Sequence, residues 1–335
     1  MKRLFPIFLF ITALLSPCCA QTVPSEALQQ AMQRDETAFL QSMSPTLQHT
    51  QALAVRMAIQ GDVRALQQIR ERRNVAPTLP EGVKAVTLTP TMTLFRSTQP
   101  TSKPRPVLLY LHGGGWCFGS INSCMRFCAA VAKRANICVV ALNYRLAPEH
   151  AYPAPIDDCR MAFNYLKGHA AEFGGDTTRV SIGGDSAGGN LAIATAMTVG
   201  GKSSVYSLIP IYPVTELFTR STPSWRTYAQ GYGDDAELLE AFNEAYAAGQ
   251  QQSPLVSVGL AADDTLQQLP PVLLISAGHD ILFDQTAAWA KRLQSLDHPL
   301  SYHVFPTATH LFITVPGQPT AFNESVRIVS EFLKE

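Results

Sequence analysis

Gly184-Asp185-Ser186-Ala187-Gly188 sets a serine between glycines two positions before it and two after. An apolar run, Val180-Ser181-Ile182, precedes this stretch, and a helix-compatible run near Asn190–Met197 follows it. A strand must therefore turn into a helix within a few residues, with Ser186 at the apex. Such a turn is sterically open only when its flanks are small, and it presents the hydroxyl as a nucleophile. The N-terminal N–H groups of the following helix favour negative charge developing beside it.

A second glycine-rich stretch, His112-Gly113-Gly114-Gly115-Trp116, follows the apolar run Val107–Leu111. Glycines let backbone N–H groups approach a substrate oxygen without Cβ obstruction. With the residue after the nucleophile, they make a hole for an oxyanion, and the expected donors are Gly113, Gly114 and Ala187. A phosphate-cradling loop is the rival reading, but no Gly-Lys-Ser/Thr follows, and no G-x-G-x-x-G with a downstream acid is found. His112 is read as fixing the loop rather than as a base.

A serine hydroxyl needs a base within hydrogen-bond reach, and the base needs a carboxylate to orient it. Four histidines follow Ser186: His279, His298, His303 and His310. His310 stands after the run Leu300–Phe305, at the strand end where such sheets place ligands and catalysis. His303 lies inside that strand and His298 at the turn before it, which suits structural roles. Asp280 stands after Val272–Ser276, with Asp284 one helical turn on as the second candidate. Neither Asp280 nor His310 is persuasive alone; the order serine, acid, histidine on successive strand ends is what joins them.

The elements that must position these groups follow from the pattern. Val107–Leu111, Ile137–Leu142, Val180–Ile182, Val205–Ile211 and Val272–Ile275 are short continuous apolar runs, as in strands covered on both faces. Helical segments lie between them at about 122–135, 156–171, 188–198 and 285–296. This alternation predicts an α/β fold with a mostly parallel sheet flanked by helices. Residues 25–73 read as three helices: Leu28, Met32, Phe39 and Met43 recur near helical spacing, and Ser44-Pro45 offers a cap and an N1 proline. Leu53, Met57 and Ile59 continue as an apolar face up to Gly61-Asp62, and Arg70, Arg72 and Arg73 suit a helix C-terminus. Residues 215–252 break the strand–helix rhythm and read as an excursion packed with the N-terminal helices. The expected plan is a signal segment at 1–20, cap helices at 21–80, and a catalytic domain at 81–335 carrying a cap insertion at about 215–252.

The chain has 335 residues, 46% of them apolar, with 26 basic against 26 acidic side chains. That is ample for a large core, and the neutral balance argues against a nucleic-acid partner. Lys2 and Arg3, the apolar Leu4–Leu15 and the small residues before Gln21 form the pattern of a secretory signal with cleavage after Ala20; an uncleaved N-terminal anchor is the alternative. No stretch reaches the roughly 20 apolar residues that a membrane span needs. The expected location is periplasmic or secreted. Five cysteines remain beyond the signal, an odd number, and they are read mainly as small buried side chains. No HExxH or paired CxxC is present, so neither a metal nor a cofactor is expected. Oligomeric state is not legible.

These residues closely resemble the hormone-sensitive-lipase-like group of α/β-hydrolase esterases. The resemblance is carried by HGGGW at 112–116, YRLAPEHAYPAP at 144–155, GGDTTRVSIGGDSAGGNLA at 174–192 and AGHDILFD at 277–284. It covers roughly 104–198 and 270–312. It implies a carboxylic-ester hydrolase with Ser186, Asp280 and His310 as the triad, a helical cap over the acyl pocket, a small-molecule ester as partner, and short to medium acyl chains. Two departures stand out: Ile281 where proline is common after the acid, and Leu311 where glycine is common after the histidine. Trp116, Tyr212 and Phe218 are candidate lining residues, with core packing the competing account of each. Two other functions share the framework: an amidase or serine peptidase with the same triad, and a non-catalytic relative that binds a small ligand.

Overall fold

A computed structural model describes residues 21–334; the expected signal segment lies outside them. Three helices lead, α1 (Glu26–Ser42), α2 (Leu47–Ile59) and α3 (Arg64–Arg73). Strands β1 (Val83–Thr89), β2 (Met92–Ser97) and β3 (Arg105–Leu111) then open the sheet. Helix α4 (Ile121–Ala135), strand β4 (Cys138–Leu142), helix α5 (Ala154–His169), strand β5 (Gly175–Asp185), helix α6 (Ala187–Thr198) and strand β6 (Leu208–Ile211) alternate after it. An excursion holds α7 (Pro223–Thr227), α8 (Ala236–Ala247) and α9 (Asp263–Gln267). The chain closes with β7 (Val272–His279), α10 (Phe283–Ser295), β8 (Leu300–Thr309) and α11 (Pro319–Phe332).

The eight strands lie in the order β1-β2-β4-β3-β5-β6-β7-β8. The β1–β2 and β2–β4 pairings are antiparallel, so β2 is the reversed strand; from β4 across to β8 every pairing is parallel. Alternate strand residues supply the two cores. Val107, Leu109 and Leu111 pack among α5, α6 and α10, whereas Leu108 and Tyr110 pack among α4 and α11. Burial on both faces is what makes these strands read as continuous apolar runs. All the parallel strands end on one rim, and β5, β7 and β8 deliver Ser186, Asp280 and His310 there.

Above that rim, α2 packs against α8. Helix α2 departs from expectation in two ways. It starts at Leu47 with Thr46 as its N-cap, so Ser44-Pro45 forms the preceding turn rather than the cap and first position. Its buried stripe is Gln48, Gln51, Ala52, Val55 and Ala58, while Leu53 and Met57 face outward at 45% and 42% exposure. Small side chains let two helices approach closely, so the stripe against α8 is alanine-rich and the larger apolar residues are left outside it. Arg70 does more than complement a helix end. Its guanidinium donates to the carbonyls of Cys117 and Ala147 at 2.8 and 2.7 Å and pairs with Glu149, joining α3 to the loops after β3 and β4. All five described cysteines are buried and unpaired. No helix among the described residues is long and apolar enough to cross a membrane, and no cluster of three or more metal-ligating side chains occurs among them.

Candidate active site

The turn after β5 has the backbone its sequence requires. Ser186 takes φ 53° and ψ −120°, outside the regions a serine normally occupies, and its N–H donates to the Ile211 carbonyl at 2.9 Å. A Cβ on Gly188 would stand 2.0 Å from the Leu111 carbonyl oxygen, and one on Gly184 would stand 2.5 Å from the carbonyls of Gly188 and Leu111. The glycines are thus demanded by close backbone packing of α6 against β3. Strain held at a single serine marks a functional position.

His310 and Asp280 meet as their chain order predicts. His310 Nδ1 lies 2.6 Å from Asp280 Oδ2, both side chains being buried, and the other Asp280 oxygen accepts the Leu282 N–H at 2.8 Å. Gln318, at the start of α11, clamps the histidine loop: its amide donates to the His310 carbonyl and accepts the Thr309 N–H. Leu311 adopts φ 72°, a conformation glycine takes freely, which gives the departure noted in the sequence a physical meaning. Leucine here holds the glycine-like turn and borders the cavity. The His310 ring lies 4.4 Å from the ring of Tyr212, which follows the strand end that anchors Ser186. No hydrogen bond joins Ser186 to His310; Nε2 has none, and the atom facing it is Asp234 Oδ2 at 3.3 Å.

Asp234 was not singled out in the sequence. It lies in a Gly- and Asp-rich turn before α8, is buried, and borders the same cavity as Ser186. Burial pushes its carboxyl up to about 6, against the pull of His310. Burial also opposes a charge on His310, yet Asp280, Asp234 and Asp185 together hold the imidazole up at about 9.

The other candidates fall into place unevenly. Gly113 lies against the Asp185 carboxylate, where a Cβ would stand 2.4 Å from Oδ2. That carboxylate accepts the Tyr110 hydroxyl at 2.9 Å, and burial pushes it up to about 6. Asp185 thus ties the glycine loop to the nucleophile turn. The glycines that border the cavity beside Ser186 are Gly114 and Gly115, one position later than expected for the pair. Ala187 opens α6, directly after the nucleophile. His112 stacks on Tyr144 at 4.3 Å and bonds within its own loop, and burial lowers it to about 4. His279 pairs with Glu36 of α1, and Asp284 accepts the Ser224 N–H at 2.7 Å, so neither serves His310.

None of the three proposed lining residues borders the cavity. Trp116 is buried face to face on Tyr246, 4.3 Å away, and the Tyr212 hydroxyl accepts the Ile313 N–H, which makes both core residues. Phe218 is on an outer surface near Arg220 and Glu240. The cavity has a volume of about 630 Å³. It runs from Ser186, Gly114 and Gly115 past Phe118 and Phe242 to Phe39, Leu47 and Gln48 of the leading helices.

Comparison with known proteins agrees with this construction. Residues 108–314 match a family described as having the alpha/beta hydrolase fold. Carboxylesterase NlhH of Mycobacterium tuberculosis is 36% identical over 214 residues, covering 62% of this chain and 66% of its own, just under two thirds of that relative's length. An ethyl acetate hydrolase of Pseudomonas putida is 33% identical over 237 residues, covering 68% of this chain and 72% of its own. Among solved structures, an alpha/beta hydrolase enzyme from the metagenome of Lake Arreo superposes with a TM-score of 0.69 at 25% identity, covering 88% of this chain and 99% of its own. A thermostable esterase from Pseudomonas putida reaches a TM-score of 0.74 at 22% identity over 91% of this chain and 96% of its own, a likeness of fold. The sheet order, the strained serine turn and the matched span agree: this chain belongs to the α/β-hydrolase family, in its hormone-sensitive-lipase-like group.

Proposed function

We propose that this protein hydrolyses small carboxylic esters of short to medium acyl chain by way of an acyl-enzyme on Ser186. The observation that carries the reading is the buried 2.6 Å contact of Asp280 with His310, on the same rim as a serine held at φ 53°. In the reaction, His310 Nε2 takes the Ser186 proton as the hydroxyl oxygen attacks the ester carbonyl. Asp280 keeps the imidazole oriented and stabilises its charge. The tetrahedral oxygen rests on the N–H groups of Gly114, Gly115 and Ala187, each typically worth about 10²–10³ in rate. The proton then passes from His310 to the departing alkoxide, and water attacks the acyl-enzyme by the same route. The mobile proton is handled by His310 throughout. His310 is expected to swing from Asp234 toward Ser186 when an ester binds, since catalytic hydrogen bonds tighten in the substrate complex.

The cavity of about 630 Å³, bordered by Phe39 and Leu47 of the leading helices, suits a soluble ester of modest length. A p-nitrophenyl series from acetate to palmitate tests this, with Ser186→Ala as control. The expected result is highest kcat/KM at short to medium chain and a folded, inactive variant. Unchanged turnover in that variant would remove the mechanism.

We also propose export with cleavage after Ala20. The basic start, the apolar run and the small residues before Gln21 support this reading. The mass of the periplasmic or secreted protein tests it: a chain beginning at Gln21 is expected, and an intact N-terminus would refute it.

A further inference from the structure

Three carboxylates surround one imidazole in this site, and the chemistry described above uses only one of them directly. Asp280, after β7, faces Nδ1. Asp185, at the end of β5, acts on the ring from a distance and is already held by Tyr110. Asp234 is different. Its Oδ2 stands 3.3 Å from Nε2, the nitrogen that must accept the serine proton. It is 7% exposed, and no hydrogen bond from the protein reaches its carboxylate among the described residues. A buried carboxylate without donors is costly unless a charge faces it. The charges that do so are His310 and, more distantly, Arg73 of α3; Asp280 and Asp235 oppose it. The other group lying against the ring is Tyr212, whose hydroxyl is occupied by the Ile313 N–H.

Asp234 also lies in an irregular turn of the cap rather than on a strand end. Its turn is held by the Gln48 amide, which donates to the Gly233 carbonyl, by Asp235, which accepts the Gly231 N–H at 2.7 Å, by the Ala236 N–H on the Ala229 carbonyl, and by the Tyr232 ring against Tyr228 and His279. It carries no strand pairing and stands directly over the cavity.

We propose that Asp234 is a positioning residue that pairs with the protonated base, so that the Ser186–His310 contact forms only when a proton is lost or an entering ester displaces the Asp234 turn. The inference rests on His310 as the base. In this account Asp234 exchanges no proton with substrate and forms no bond to it. It sets how readily Nε2 becomes free. Removing its charge withdraws a partner from the imidazolium, so the neutral imidazole, which is the active form, prevails at lower pH.

The test compares the wild type with Asp234→Asn by two readings. One is the pH profile of kcat/KM for p-nitrophenyl butyrate. The other is the titration of the His310 ring by NMR, assigned by its loss in His310→Asn, which needs no turnover. The acid limb and the ring titration are both expected to move to lower pH by about one unit or more, the scale of an opposite charge in contact. The ratio of kcat/KM at pH 9 to that at pH 6 should fall about tenfold in consequence. Gln48→Leu, which frees the turn without altering a charge, should move both readings part of the way. Midpoints that stay within about 0.3 unit of wild type in Asp234→Asn overturn the proposal, as does a uniform loss of rate with an unmoved limb. Wild-type turnover with unmoved midpoints leaves the esterase reading standing and removes this one. A shifted ring titration in a protein without turnover does the reverse. Should Asp234→Asn fail to fold, Gln48→Leu decides alone: midpoints that stay put overturn the proposal.

Discussion

On one side of the cavity Ser186, Asp280 and His310 are each fixed by buried hydrogen bonds to backbone groups; on the other, helix α2 meets α8 through half-exposed side-chain pairs. Ser186 is anchored by Ile211, Asp280 by the Leu282 N–H, and the His310 loop by the two-handed amide of Gln318. Across from them, Glu237 of α8 receives His49 and Arg56 of α2 in half-exposed pairs. Exposed pairs of this kind contribute about 0–1 kcal/mol each. Buried bonds to the backbone fix the reacting groups, whereas half-exposed side-chain pairs let the cap shift at small cost. The contrast explains why the reacting groups sit on strand ends and why the residue proposed to release the base sits on the cap.

The contrast can be broken or sharpened by substitution, the strand-end wall being the sensitive one. Asp280→Asn should lower kcat by about 10⁴, the usual effect of leaving the base in the wrong tautomer. Asp284→Asn, one turn away, should change kcat by less than about threefold; equal losses would break the assignment of the acid. Gly188→Ala drives a methyl group to 2.0 Å from the Leu111 carbonyl, and thermal unfolding should show a loss of about 3 kcal/mol. Arg70→Ala removes the guanidinium that joins α3 to the loops at Cys117 and Ala147, and should cost about 2 kcal/mol in the same measurement. Leu311→Gly keeps the turn at φ 72° and clears a side chain from the cavity, so kcat/KM should shift several-fold toward longer acyl chains. Leu53→Ser and Met57→Gln, on the outer face of α2, should stay within about 0.5 kcal/mol of wild type.

Legibility in the sequence followed the same division. The strands that carry the site announced themselves as apolar runs, and close backbone packing left glycine as the residue type beside Ser186. Asp280 and His310 could be chosen because order and strand ends constrain them. The cap was harder to read. An alanine-rich stripe is less conspicuous than Leu53 and Met57, although it is the stripe that packs. Spacing could not say which glycines of the loop border the cavity, and Gly114 and Gly115 do so while Gly113 packs against Asp185. Trp116, Tyr212 and Phe218 are aromatic, and residue type does not distinguish a core ring from a lining one. Asp234 left no local signal at all: it becomes significant only when the cap folds over His310.

The claim on which the account depends is that Ser186 is the nucleophile. Incubation with a fluorophosphonate, followed by intact-mass and peptide mass spectrometry, addresses it without choosing a substrate. The account predicts one adduct per chain, on the peptide containing Ser186, and none in Ser186→Ala. A wild-type chain that stays unlabelled, or one labelled equally in the variant, would contradict it.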